Sequence, residues 1–321
     1  MDLDSHATAF LFPGQGSQSI GMGYELAQAF PIAMETFMRA DDLLGFKISK
    51  LAWEGPEELL NDTINTQPAL FVHSIAAWRV FNEFLPHFKP RFVAGHSLGE
   101  ISALVASNAL SFEDGLKLVH TRGRLMRKAG QLRPGGMAAI LGLDLSTVEQ
   151  ICTSASTENQ VVQVANDNCP EQVVISGSQD ALERAIHLAQ QSGARRVVKL
   201  NVSIAAHSPL MESIQEDFIS FVEKIPFSHP QIPIIGNITA KPLSTVEQIR
   251  SELAAQLNSR VRWTETIQFL LDSQVTTFLE IGNNTVLTGL LRRINPQATG
   301  IPLGKPSDFD KLFNGFQFSL T

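Results

Sequence analysis

A strand that must become a helix within a few residues constrains this chain more than any other feature. The apolar run Phe92-Val93-Ala94 leads into Gly95-His96-Ser97-Leu98-Gly99, and a helical pattern from Leu98 to Leu110 follows at once. Such a turn leaves no room for side chains at its flanks, so glycines stand two residues either side of Ser97 and the serine hydroxyl is held above the sheet. The backbone N–H of Leu98, at the head of the following helix, points where an oxyanion would form. A G-x-S-x-G pattern also arises without catalysis, so the flanking strand and helix carry the inference.

Around this elbow the chain alternates. Thr8 to Phe12 reads as a short buried strand, Ser74 to Phe84 as a helix, then the Phe92 strand and the helix after it. Strands and helices in alternation imply an α/β fold with a parallel sheet covered on both faces. Between about Gly135 and Leu200 the texture changes: Met137 to Leu143 a strand, Ser146 to Ser154 a helix, Val161 to Ala165 and Val173 to Ser176 strands, Asp180 to Gln191 a helix, and Arg195 to Leu200 a strand. The turn-rich Asn166-Asp167-Asn168-Cys169-Pro170 is expected to join the two middle strands. The order β-α-β-β-α-β is that of a small ferredoxin-like unit. The expected division is a large α/β domain over residues 1–133 and 201–321 with a small inserted domain over 134–200. Ile232 to Ile235 and Thr277 to Glu280 read as the remaining core strands, and no motif stands out in the last twenty residues, with their Pro302 and Pro306.

Composition narrows the class. With 321 residues, 44% of them hydrophobic, the chain has ample material for a buried core. A net charge of −7 offers no basic excess to neutralise phosphates, which argues against a nucleic-acid binder. Two cysteines, Cys152 and Cys169, without C-x-x-C spacing or companion ligands, imply neither a disulfide framework nor a metal site. The start Met1-Asp2-Leu3-Asp4-Ser5 is acidic where a signal peptide is basic, and no apolar run approaches a membrane span. A soluble cytoplasmic protein with no metal and no cofactor is expected.

A serine nucleophile needs a base, and eight histidines are present. His96 is the neighbour of Ser97, but adjacent residues on a sharp turn point apart, so a structural role is expected for it. His207 sits in the turn before a helix that Ser208 caps and Pro209 begins. Arg122 is informative from spacing alone. Ser111-Phe112-Glu113-Asp114 starts a helix running to about Ala129, and Leu118, Val119, Leu125 and Met126 stand at −4, −3, +3 and +4 from Arg122. A guanidinium on that buried stripe must meet either a protein carboxylate, as a structural ion pair, or an anion brought from outside. The Gly14-Gln15-Gly16-Ser17-Gln18 turn superficially suggests a dinucleotide fingerprint. That pattern requires a glycine three residues after Gly16, where this chain has Ser19.

Taken in order and spacing, Phe12-Pro13-Gly14-Gln15-Gly16-Ser17-Gln18, Thr66-Gln67-Pro68-Ala69-Leu70, the elbow, Arg122-Gly123, His207-Ser208-Pro209, Glu280-Ile281-Gly282 and Val286-Leu287-Thr288-Gly289-Leu290 resemble the malonyl-CoA:acyl carrier protein transacylase family, from about Ala9 to about Ile294. The resemblance implies a large hydrolase-like domain, an inserted ferredoxin-like domain, and malonyl-CoA and acyl carrier protein as partners of a monomer. It implies Ser97 as nucleophile, His207 as base, Gln15 and Leu98 as oxyanion donors, and Arg122 as a fork for the substrate carboxylate. It also implies that the backbone carbonyl of Gln256 orients the histidine, and that Gln67 belongs to the pocket. Asn166, on the small domain, could line the same cleft, and both it and Gln67 could equally serve turns or caps.

Two departures stand out: Asn283-Asn284 replaces the family's usual Pro-Gly, and Ile204-Ala205-Ala206 matches neither extender-selective pattern. Leu98 resembles the malonyl-selective form. Three rival readings remain: a freestanding acyltransferase of a polyketide or polyunsaturated fatty acid assembly line, a hydrolase clearing acyl groups from carriers, and a non-catalytic carrier-docking module. A buried cation argues against the hydrolase of neutral chains, and the joint presence of serine, histidine and arginine against the docking module.

Overall fold

The computed structural model describes residues 3–313; Met1 and Asp2 of the acidic start, and residues 314–321 of the motif-free tail, lie outside the described residues. Its strands are β1 (Thr8–Phe12), β2 (Phe92–Gly95), β3 (Gly135–Leu141), β4 (Val162–Cys169), β5 (Gln172–Ser178), β6 (Arg196–Lys199), β7 (Ile234–Ile235), β8 (Pro242–Leu243), β9 (Val261–Arg262), β10 (Thr277–Ile281) and β11 (Thr299–Leu303). They form two sheets, ordered β11-β10-β1-β2-β7-β8 and β6-β3-β5-β4-β9.

In the first sheet every pairing is parallel except β7 with β8. All five residues of β1 are buried, as a central strand covered on both faces requires. On one side lie the helices Thr63–Phe84, Gly99–Ala106 and Phe112–Leu132, which share the main core with Phe10, Phe12 and Val93. On the other side Ala9, Leu11, Ala94 and Phe278 pack against Trp263, Ile267 and Leu270.

The second sheet has the antiparallel order β6-β3-β5-β4 of a ferredoxin-like unit, with the helices Leu145–Ala155 and Gln179–Gln191 over a core of its own. The fifth strand, β9, comes from later in the chain and pairs in parallel with β4 at Asn166 and Asp167. The small unit is therefore hydrogen-bonded to the segment that follows Gln256.

Three local expectations are corrected. Asn166 to Cys169 is not a turn: β4 runs through it with two register shifts, and the chain reverses at Pro170-Glu171, where Glu171 has φ 60°. Turn propensity loses here because these side chains find partners. The Asp167 carboxylate accepts from Thr264 Oγ1 at 2.8 Å, and Asn168 Oδ1 meets His96. The helix expected from Ser74 starts at Thr63, capped by Asp62, and carries Pro68 inside it. It is buried almost all round, so no polar face marks its start. Last, the core sheet has a strand beyond those expected: β11 pairs with β10 at the edge, where Pro302 is tolerated.

Candidate active site

The elbow forms where β2 meets the helix Gly99–Ala106. A Cβ on Gly95 would lie 1.9 Å from the carbonyl carbon of Gly99, and one on Gly99 would lie 2.0 Å from the carbonyl oxygen of Phe12. Both glycines are required by close backbone approach. Ser97 itself has φ 51°, a left-handed conformation costing on the order of 1–2 kcal/mol for an L-residue. Hydrogen bonds hold it there: the Ser97 N–H donates to Asn237 Oδ1 at 2.7 Å, and the Ser97 carbonyl accepts from the Glu100 N–H and from Gln256 Nε2, both at 3.1 Å.

His207 also has positive φ, 58°, and its Nε2 lies 2.8 Å from Ser97 Oγ. Its Nδ1 faces two backbone carbonyls, Gln256 at 2.9 Å and Ser259 at 3.0 Å. Carbonyls only accept, so Nδ1 carries the ring proton and Nε2 is the free acceptor for the serine hydroxyl. Gln163 Nε2 fixes the loop by donating to the carbonyls of His207 at 2.8 Å and Asn258 at 3.0 Å. Burial, and then the positive charge of Arg122, push the His207 pKa down to about 3, so the imidazole is neutral at physiological pH.

Arg122 is 2% exposed, and its hydrogen-bond partners do not include the carboxylate that a structural ion pair would supply. Nη1 donates to Gln67 Oε1 at 2.9 Å, Nε and Nη2 to Gln256 Oε1 at 3.2 and 2.9 Å, and Nη2 also to Ser97 Oγ at 3.1 Å. None of the ion pairs among the described residues includes it. Burial lowers its pKa to about 10, which leaves it a cation whose hydrogen bonds are filled by neutral oxygens. By contrast Arg127 and Lys128, on other faces of the same helix, pair with Asp62 and Asp217 at the surface.

Gln15, Ser97, Arg122, Asn166 and His207 line one cavity of about 430 Å³, whereas Leu98, Gln67 and Gln256 are buried behind its wall. Gln15 lies on a turn closed by the Ser17 N–H bonding to the Gly14 carbonyl at 3.2 Å, and Gly14 packs directly on the elbow. Its side-chain Oε1 accepts from Thr63 Oγ1 at 2.9 Å. Asn283 and Asn284, the departure from the family pattern, clamp this turn: their Nδ2 atoms donate to the Ser17 carbonyl at 2.6 and 2.7 Å. Asn284 takes φ 66°, so the turn keeps its left-handed residue. Gln67 is buried, with Nε2 donating to Thr63 Oγ1 at 2.9 Å and Oε1 turned to Arg122. Leu98 is buried at the head of the elbow helix, and Asn166 looks on from β4. His96 points away from Ser97: its Nε2 meets Asn168 Oδ1 at 2.8 Å and its ring stands edge-on to Trp263.

Sequence reasoning missed Ser259, Asn237, Glu100 and Glu252. Ser259 contributes only a backbone carbonyl, which leaves no residue signature. Gly236-Asn237 reads as an ordinary turn. Glu100 was signalled, since it is the lone charge in the apolar helix Gly99–Ala106, every residue of which is buried.

Comparison with known proteins identifies the family. Residues 9–302 match the acyl transferase domain family. The chain is 42% identical to the malonyl CoA-acyl carrier protein transacylase of Haemophilus influenzae, over 94% of this chain and 96% of that one. Among solved structures, the malonyl CoA-acyl carrier protein transacylase of Coxiella burnetii superposes with a TM-score of 0.92 at 39% identity, covering 96% of this chain and 97% of that one. A malonyl-transacylase solved in complex with a type II PKS acyl-carrier protein superposes with a TM-score of 0.91 at 40% identity, over 96% and 99% of the two chains. With the match spanning nearly the whole chain, and its elbow, histidine and arginine assembled in one cavity, this protein belongs to the acyl transferase family, among the malonyl CoA-acyl carrier protein transacylases.

Proposed function

We propose that this protein moves a malonyl group from malonyl-CoA to the phosphopantetheine thiol of an acyl carrier protein by double displacement at Ser97. Ser97 Oγ attacks the thioester carbonyl while His207 Nε2 takes the hydroxyl proton, and the N–H groups of Gln15 and Leu98 receive the oxyanion. The tetrahedral intermediate collapses, the C–S bond breaks, and the CoA thiolate takes the proton from His207. The carrier thiol then gives its proton to His207 and attacks the malonyl-serine ester; the acyl C–Oγ bond breaks, and His207 passes the proton to Ser97 Oγ, which restores the free serine and the neutral imidazole.

The observation that carries this reading is the buried Arg122 cation beside Ser97, which has no carboxylate among its hydrogen-bond partners. Its fork bonds neutral oxygens that a substrate carboxylate can displace, and a planar guanidinium matches a carboxylate in two parallel bonds. A hydrolase of neutral acyl chains gains nothing from such a buried charge. Because the same chemistry serves fatty-acid and polyketide carriers, the pathway is set by which carrier docks. The large domain over residues 1–133 and 201–321 would supply the machinery and the inserted domain over 134–200 the opposite wall of the cleft. Among the described residues no helix is long and apolar enough to cross a membrane, and both cysteines are free, which fits a cytoplasmic enzyme.

Intact-mass spectrometry tests the reading. On mixing with malonyl-CoA the protein should gain one malonyl mass, which holo acyl carrier protein then removes; Ser97→Ala should gain none and His207→Ala should gain it several orders of magnitude more slowly. A docking module would gain no mass, and a hydrolase would release free malonate without a carrier.

A further inference from the structure

Behind the elbow, on the side away from the cavity, two carboxyls face each other in the interior. Glu100 is 0% exposed and Glu252 4%. Burial and their mutual repulsion raise the pKa of Glu100, and burial that of Glu252, so the contacting pair holds a proton between them rather than two full charges. Toward everything else Glu100 presents acceptors only. Its Oε1 accepts from the Asn237 N–H and from Asn237 Nδ2, each at 2.9 Å, and its Oε2 accepts from Gln256 Nε2.

Those two amides have ends of opposite polarity, and Glu100 decides which end faces the site. With Nδ2 engaged by Glu100 and by the Gly95 carbonyl at 2.8 Å, Asn237 must present Oδ1 to the Ser97 N–H. With Nε2 engaged by Glu100 and the Ser97 carbonyl, Gln256 must present Oε1 to Arg122. We propose that Glu100 is a positioning residue for acyl-group selection: by presenting only acceptors to the neighbouring amides it locks the Gln256 amide with its oxygen toward Arg122, and so holds the guanidinium aimed at the substrate carboxylate. The inference rests on the reading of Arg122 as that fork.

An isosteric change tests polarity without changing shape. In Glu100→Gln the new NH2 cannot take the Oε1 place, where it would meet two donors of Asn237. It takes the Oε2 place, donates to Glu252, and confronts the Gln256 NH2. Gln256 relieves the clash by turning over, which sets its own NH2 against the Arg122 cation and removes two of the guanidinium's acceptor contacts. In Glu252→Gln nothing reverses. One end of the new amide still accepts from the Ile238 N–H, now 2.6 Å from Glu252 Oε1, while the other donates to Glu100, whose acceptors face the Asn237 and Gln256 amides as before.

The experiment measures kcat/KM for malonyl-CoA and acetyl-CoA, with thermal melts, for the full chain and for Glu100→Gln, Glu252→Gln and Arg122→Ala. The malonyl-to-acetyl ratio should fall at least about tenfold in Glu100→Gln and stay within about threefold of wild type in Glu252→Gln. A merely structural carboxyl pair predicts similar harm from both substitutions, and on both substrates. An unchanged ratio in Glu100→Gln, or equal losses in the two variants, overturns the proposal. If Glu100→Gln does not fold, Gln256→Met decides: removing the amide while keeping its backbone carbonyl should lower the same ratio, and a retained ratio rejects the relay. Arg122→Ala separates the two ideas, since a selective loss there with none in Glu100→Gln rejects only the positioning role, whereas equal losses on both substrates in Arg122→Ala reject the fork itself.

Discussion

Arg122 Nη2 donates to Ser97 Oγ across 3.1 Å, so the guanidinium and the elbow serine are tied by one hydrogen bond. If Arg122 is the carboxylate fork proposed above, a substrate carboxylate competes for that donor and frees a lone pair on Oγ, whereas acetyl-CoA brings no carboxylate and gains nothing from the arginine. Arg122→Ala should therefore lower kcat/KM for malonyl-CoA by about thirty- to several-thousand-fold, the equivalent of about 2–5 kcal/mol for a desolvated charge-assisted pair, and that for acetyl-CoA by less than about threefold. Parallel progress curves on folded protein check this; equal losses would remove the selective role.

The pH dependence follows from His207. Its pKa is pushed down to about 3, first by burial and next by Arg122, so the imidazole is already neutral across pH 5 to 8, and if His207 is the base as proposed, serine acylation should be flat over that range. Removing Arg122 removes one depressing charge, so the acid limb of Arg122→Ala with acetyl-CoA should move to higher pH than that of wild type. Stability shifts in a fixed direction too. The folded state resists protonating a group that titrates near 6.5 when unfolded, so this contribution is complete above pH 6.5 and lost as pH falls toward 3. The Tm of wild type relative to His207→Ala should accordingly drop on acidification.

Gly95→Ala should prevent a native elbow. The added methyl would sit 1.9 Å from the Gly99 backbone, which cannot rotate away as a side-chain tip would. A destabilisation above about 4 kcal/mol is expected, read from denaturant midpoints, together with loss of the malonyl adduct.

Asn283 donates to both the Ser17 carbonyl and Ser19 Oγ, and so braces the turn that carries Gln15. If that turn supplies an oxyanion donor, Asn283→Ala should lower kcat about three- to thirtyfold for malonyl-CoA and acetyl-CoA alike, with KM little changed. A loss confined to malonyl-CoA would place Asn283 in carboxylate recognition instead.

If residues 134–200 are a separate unit, the junctions at Arg133-Pro134-Gly135 and Asn201 should exchange their amide hydrogens earlier than the core of either sheet. Protection there equal to that of β1 and β5 would argue for a single cooperative body.

Local chemistry was enough to locate the elbow, the buried face of Arg122 and the ferredoxin-like strand order, because each is written in spacings of a few residues: glycines around Ser97, apolar residues three and four from Arg122, and alternating strand and helix patterns. Positions decided by partners far away in the chain were not legible. Asn166 to Cys169 has turn composition, yet β9 and the His96 ring lie close enough to make it strand. The second carbonyl on His207 Nδ1 belongs to Ser259, and a backbone oxygen carries no residue identity. Whether Arg122 met a carboxylate or neutral oxygens was likewise open, since spacing fixes which face a side chain takes but not what comes to meet it. Packing brought Gln67 and Gln256 to the guanidinium and left the nearest carboxylate, Glu100, one amide further back. The sequence by itself determined that a cation lies on a buried helix face, through helical periodicity; only the tertiary structure decided that it stands beside the elbow and meets neutral oxygens, because long-range contacts are properties of the packed chain.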